Sequence, residues 1–77
     1  MTPMKKARKE RGWTLADLAS AIRANGTQID AGNLSRIERG AQVPSPELAE
    51  AICKAFDGKL DEIQVFYPER FAEGEAA

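Results

Sequence analysis

The sequence predicts an all-α domain, a bundle of five short helices, and three observations carry this. No stretch alternates apolar and polar residues with the period of two that a half-buried strand shows. Apolar residues instead recur at three- and four-residue spacing, the period of a helix face. The first four such stretches each open on a Thr, Asp or Ser, and glycines or a proline punctuate the stops. With 77 residues the chain makes one domain with a small core, expected over residues 1–71 and followed by an acidic tail at 72–77.

Thr2 and Pro3 open the first helix as N-cap and first helical residue. Met4, Ala7, Arg8 and Arg11 share one of its faces, Lys5, Lys6 and Lys9 lie on others, and Gly12 stops it. The basic run is either a solvated face or a flank that meets phosphates. Thr14 caps the second helix, with Asp17 three residues on as a weaker form of the capping box and Trp13 and Leu18 at the staple positions. Its stripe is Leu15, Leu18, Ala19 and Ile22, and Trp13 reads as a core anchor rather than a stacking platform for bases. The helix runs to Ile22 or on through Ala24, and Asn25-Gly26 is the stop.

Asp30 caps the third helix, over residues 30–39. Ile29 and Leu34 stand at its staple positions, and Gly40 supplies the left-handed residue after its end. Leu34, Ile37 and Glu38 turn inward, leaving Ala31, Gly32, Asn33, Ser35, Arg36 and Arg39 outside. That outer side is small at its start, then polar and basic, a shape suited to a DNA major groove. Ser45 and Pro46 open the fourth helix, with Leu48, Ile52, Ala55 and Phe56 as its stripe and Asp57-Gly58 as its end. Leu60, Ile63 and Phe66 or Tyr67 mark a short fifth helix closed by Pro68.

Charge is polarised along the chain. Residues 1–42 hold eight Lys/Arg against four acids, net +4, and residues 43–77 hold three against eight, net −5. A basic half can meet phosphates while an acidic half faces away, so the overall −1 does not exclude a nucleic-acid partner. Cys53 has no second cysteine for a disulfide and no histidine to join it in a metal cluster, and it is expected as a buried, inert thiol. No metal or cofactor is expected. There is no histidine, no Gly-rich phosphate loop and too little chain for a deep pocket, which argues against an enzyme. No apolar run is long enough to cross a membrane and no signal-peptide core opens the chain, so a cytoplasmic, nucleoid-associated protein is expected.

The second and third helices, joined by a turn containing Gly26, form a helix-turn-helix. Three segments resemble the phage-repressor and Cro (Xre) type of this family. They are Trp13-Thr14-Leu15-Ala16-Asp17-Leu18-Ala19, Leu34-Ser35-Arg36-Ile37-Glu38-Arg39-Gly40, and Pro44 to Phe56 followed by Leu60-Asp61-Glu62-Ile63. The resemblance covers about residues 4–66 and implies a lambda-repressor-like fold that binds double-stranded operator DNA as a homodimer. It places the base-facing positions on Ala31, Gly32, Asn33 and Arg36, with Arg36 for guanine and Asn33 for adenine or a phosphate. Phosphate contacts are expected from Thr14, Ser35, Arg39, Gly40 and Gln42. Arg8 and Glu38 match a family ion pair between the first and third helices. Gly32 is equally a first-turn residue without a role.

Two departures from the family pattern stand out. Leu15 occupies the position where the family commonly has a clamping Gln. The turn around residues 23–27 is longer than usual by about five residues. It either brings Arg23, Thr27 and Gln28 to the DNA backbone or is a tolerated surface insertion. The segment Val65, Phe66, Tyr67 and Phe71 is apolar beyond what the fifth helix needs and is expected at a homodimer interface. The main alternative is an antitoxin-like or adaptor protein of the same fold, whose acidic C-terminal half binds another protein.

Overall fold

The structure, a computed structural model, describes residues 2–70. The chain forms α1 (Pro3–Glu10), α2 (Leu15–Ala24), α3 (Ala31–Glu38), α4 (Pro46–Ala55) and α5 (Glu62–Phe66). A 3₁₀ turn over Pro68–Arg70 follows, so Pro68 ends the fifth helix by starting a tighter turn rather than a coil. There is no strand among the described residues. Phe71 and the expected acidic tail at 72–77 lie outside the described residues.

Each helix start is fixed by a side chain. Thr2, Thr14, Asp30, Ser45 and Asp61 all have extended backbones, and each accepts a hydrogen bond from the backbone N–H three residues on. The box at α2 is complete: the Thr14 hydroxyl accepts from Asp17 N at 3.1 Å, and the Asp17 carboxylate accepts from Thr14 N at 2.8 Å. A second box, Asp61 with Gln64, fixes α5, whose five residues could not hold a helix alone. α3 ends in a full left-handed turn, in which Gly40 (φ 79°) donates to the Ile37 carbonyl and Ala41 donates to that of Arg36. After α4 two residues are left-handed, Asp57 (φ 54°), a type that tolerates this backbone, and Gly58 (φ 79°), and Arg11 holds the Asp57 carboxylate at 3.2 Å.

Met4, Leu18, Ile22, Leu34, Ile37, Ile52 and Phe56 are fully buried and form the centre of the core. On α4 the closest packing is made by Ala49, Ala51 and Ala55 with Ile52, while Leu48 stays half-buried at the edge. Small side chains there let α2 approach closely. Trp13 packs on the core with its ring 5.5 Å from that of Phe56. The Arg11 guanidinium lies 4.9 Å from the Trp13 ring centroid and donates to the Phe56 carbonyl, tying the end of α1 to the end of α4. Val65 is 2% exposed, so its side chain belongs to the monomer core and not to an outer interface. Among the described residues the exposed large apolar ones are Val43, Ile63 and Tyr67, at 71%, 56% and 46%.

Candidate nucleic-acid interface

α3 is held from beneath by three residues. Leu34 and Ile37 are buried in the core, and Glu38, also buried, carries the only charge in that set. Burying a lone carboxylate is costly, and Arg8 of α1 answers it. Arg8 Nε donates to Glu38 at 2.7 Å, Nη2 donates to the other carboxylate oxygen at 3.0 Å, and Nη1 donates to the Trp13 carbonyl at 2.8 Å. The two side chains are 11% and 6% exposed. The hydrogen bond to Glu38 raises the Arg8 guanidinium above its ordinary value, against the lowering effect of burial. With all three of its donating nitrogens turned to Glu38 and Trp13, Arg8 anchors the rear of α3.

The opposite side of α3 presents Gly32, Arg36 and Arg39 as exposed residues, with Ala31, Asn33 and Ser35 half-buried. These side chains are linked. The Asp30 carboxylate caps the helix by accepting from Asn33 N at 2.7 Å and also accepts from the Asn33 side-chain amide at 3.4 Å. The Asn33 carbonyl oxygen accepts from Arg36 Nη2, and the Gln42 carbonyl oxygen accepts from Arg36 Nε at 3.1 Å. A Cβ at Gly32 would lie 3.3 Å from the Asp30 carboxylate, so glycine leaves room for the cap. Arg39 Nε donates to the Ser35 carbonyl at 3.3 Å, which leaves its two terminal nitrogens for another ligand.

The remaining expected phosphate ligands fall into different settings. Thr14 has its N–H committed to Asp17, and hydrogen bonds from Thr14 hold the Asp17 carboxyl below the usual range. An anion approaching the start of α2 therefore meets the Asp17 carboxylate, to which both the backbone and the side chain of Thr14 are turned. Gly40 has one donor, its N–H, and turns it to the Ile37 carbonyl in the turn that ends α3. Thr27 is half-buried in a depression with Glu47, Glu50 and Lys54, beside two carboxylates that disfavour a phosphate. Gln28 is exposed next to Asp30 and Asn33, on the α3 side. The long turn is partly absorbed by α2, which continues through Ala24, and Arg23 braces the rest by donating to the Ile29 carbonyl at 3.0 Å. That brace and the Arg36–Gln42 contact were not evident from the sequence. Each joins residues six apart around the end of a helix, Arg23 to a backbone carbonyl and Arg36 to a side chain.

Beyond α3, Arg39, Gly40, Gln42 and Val43 form one wall of a cleft of about 360 Å³ whose other wall is Phe66, Tyr67 and Pro68. Phe66 is half-buried against the core and Tyr67 is exposed. Among the described residues no cluster of His, Cys, Asp or Glu is placed to hold a metal ion, and no helix is long and apolar enough to cross a membrane.

A family model described as helix-turn-helix matches residues 4–63, which takes in α1 to the start of α5. The chain belongs to the helix-turn-helix family. Its five short helices are the lambda-repressor-like form of that family, with α2 and α3 as the two helices of the motif. The protein is also similar to the transcriptional regulator ClgR of Mycobacterium tuberculosis, represented by two strains, with 36% identity over 72 residues in each. That alignment covers 94% of this chain and 60% of ClgR, so this helix-turn-helix chain spans well under two thirds of the length of its relatives. No solved structure matches the chain significantly.

Proposed function

We propose that the protein is a sequence-specific DNA-binding transcriptional regulator, in its narrowest form a repressor of the phage or prophage type that occupies double-stranded operator DNA. α3 enters the major groove, Arg36 reads a guanine, Ala31 and Gly32 bring the helix start close to the base edges, and Arg39 grips a phosphate. The observation that carries this reading is the two-sidedness of α3. Its rear is locked by Leu34, Ile37 and the Arg8–Glu38 pair, while its front carries two exposed arginines and the half-buried Asn33 and Ser35. Family membership and the printed name of the ClgR relatives support the same conclusion. A regulator of this kind acts in the cytoplasm, on the nucleoid.

The proposal includes a homodimer, because operators read by this kind of module are two-fold related. Its apolar contact is the face with Val43, Ile63 and Tyr67, the large apolar side chains that the monomer leaves exposed. Of the residues expected at that contact, Tyr67 is exposed, Phe66 is half-buried against the core, and Val65 is taken by the core.

The test is binding to a labelled random-sequence duplex at two salt concentrations. With about four to six phosphate contacts per subunit, log affinity should fall with log salt at a slope of about −4 to −5 per subunit. Arg39→Ala weakens every sequence alike and lowers that slope by about one. Absence of binding at low salt would overturn the proposal and turn attention to a protein partner for the acidic half.

A further inference from the structure

We infer that Asn33 and Gln42 are positioning residues for Arg36, clamping its guanidinium so that only its terminal fork is offered to DNA, which makes guanine the base read by this face. The inference rests on the reading of α3 as a DNA-recognition helix and refines it.

An unrestrained arginine is a poor reader of a base edge, because its long side chain must be ordered on binding. Arg36 is exposed, yet two carbonyl oxygens already hold one edge of its guanidinium. Gln42 accepts from Nε at 3.1 Å, and Asn33 accepts from Nη2. The two acceptors come from different places, one from the preceding turn of α3 and one from the loop beyond it. That loop is itself fixed, since Ala41 N donates to the Arg36 carbonyl at 2.8 Å and brings the chain back over the helix end. Asn33 is in turn oriented by Asp30, whose carboxylate accepts from its side-chain amide at 3.4 Å. The result is a relay from a capping carboxylate through a carboxamide to a guanidinium, closed at the far side by Gln42.

The donor inventory then decides what each residue can read. A guanidinium has five N–H donors, and Nε with one hydrogen of Nη2 is committed. The second hydrogen of Nη2 and both of Nη1 are left. The forward pair, one from each terminal nitrogen, matches the N7 and O6 acceptors of guanine. Adenine offers a donor in place of O6 and cannot accept both. Asn33 reads adenine only by presenting its carbonyl and amide together, and with one lone pair of the carbonyl engaged by Arg36 and one amide hydrogen by Asp30 the side chain is held in the service of Arg36. Gln42, expected as a phosphate ligand, has its carbonyl turned to Arg36, and its amide N–H groups are the ones that could meet a phosphate.

The experiment uses the full chain and a randomised duplex pool, with bound sequences read for wild type, Arg36→Ala, Asn33→Ala, Gln42→Ala and Gln42→Glu. The wild type is expected to prefer guanine at one position of each half-site by about 5- to 150-fold, and Arg36→Ala to abolish that preference. Asn33→Ala and Gln42→Ala should each reduce it at the same position by about 3- to 10-fold, and, since neither side chain is charged, the salt slope should stay that of the wild type. Gln42→Glu keeps an acceptor for Nε and should retain the preference. In the free protein, the Arg36 Nε–H resonance should be protected from exchange and lose that protection in Gln42→Ala. Loss of an adenine preference in Asn33→Ala, at a position distinct from that of Arg36, would overturn the inference. So would a uniform weakening with a shallower salt slope in Gln42→Ala, or an unprotected Nε–H in the wild type. In these cases DNA binding by α3 would still stand. A wild type that binds no duplex fails at the earlier step, the assignment of α3 to DNA.

Discussion

Removing Glu38 should be the most damaging conservative change in the domain. Arg8 lies 11% exposed with two hydrogen bonds to Glu38 and one to the Trp13 carbonyl. Glu38→Ala leaves that guanidinium in place with its counter-charge gone, and breaking one side of a buried pair costs about 3–5 kcal/mol. Domains of this size sit at the low end of the usual range of about 5–15 kcal/mol, so the variant stands close to unfolding. At about 4–8 °C per kcal/mol, the melting temperature should fall by about 12 °C or more. Replacing both partners with apolar residues, Arg8→Met with Glu38→Leu, removes the pair and its desolvation together. That double variant should lose only about 1 kcal/mol, from the unpaired Trp13 carbonyl. Urea and thermal unfolding followed by circular dichroism at neutral pH, arranged as a double-mutant cycle, read all three changes. A loss below about 1 kcal/mol in Glu38→Ala would be the value of a solvated surface pair and would refute the account of how α3 is anchored.

Other outcomes follow from single contacts. Burial, with smaller contributions from Glu62 and Asp61, pushes the Cys53 thiol up to about 11, so alkylation at pH 8 should run about 100-fold slower than for a free cysteine in a peptide. Asp17 is held below its ordinary value by Thr14, so its share of stability is present above pH 4 and is lost as pH falls through the lowered value. Asp17→Asn should therefore flatten the dependence of melting temperature on pH between about 4 and 2. Gly40→Ala puts a side chain at φ 79° and a Cβ at 3.4 Å from Pro68, and should destabilise the domain by about 1–2 kcal/mol in the same urea assay.

The helix starts and stops were legible because they depend on neighbours in sequence. Thr14 and Asp30 reach a backbone N–H only three residues away, and Gly40 follows the helix it ends. The pairing of Asp61 with Gln64 has the same local logic and could have been read from its spacing. What sequence reasoning missed depends on where separate segments meet. That α4 brings Glu47 and Glu50 beside Thr27 is one such meeting. Val65 looked like one of four apolar residues on an outer segment, but the phase of the five-residue helix α5 turns it inward. The clamp on Arg36 needs a loop that folds back over the end of α3, and no periodicity announces such a fold-back.

The central claim is that the outer face of α3 is where this chain meets DNA. The most direct test is a titration of the isotope-labelled protein with a duplex taken from the selected pool, followed by backbone and side-chain amide resonances. The account predicts that the amides of residues 31–36 and the side chains of Arg36 and Gln42 shift, with those of Glu47–Lys54 on α4 unmoved. Shifts confined to α4 and α5, with α3 silent, would contradict it.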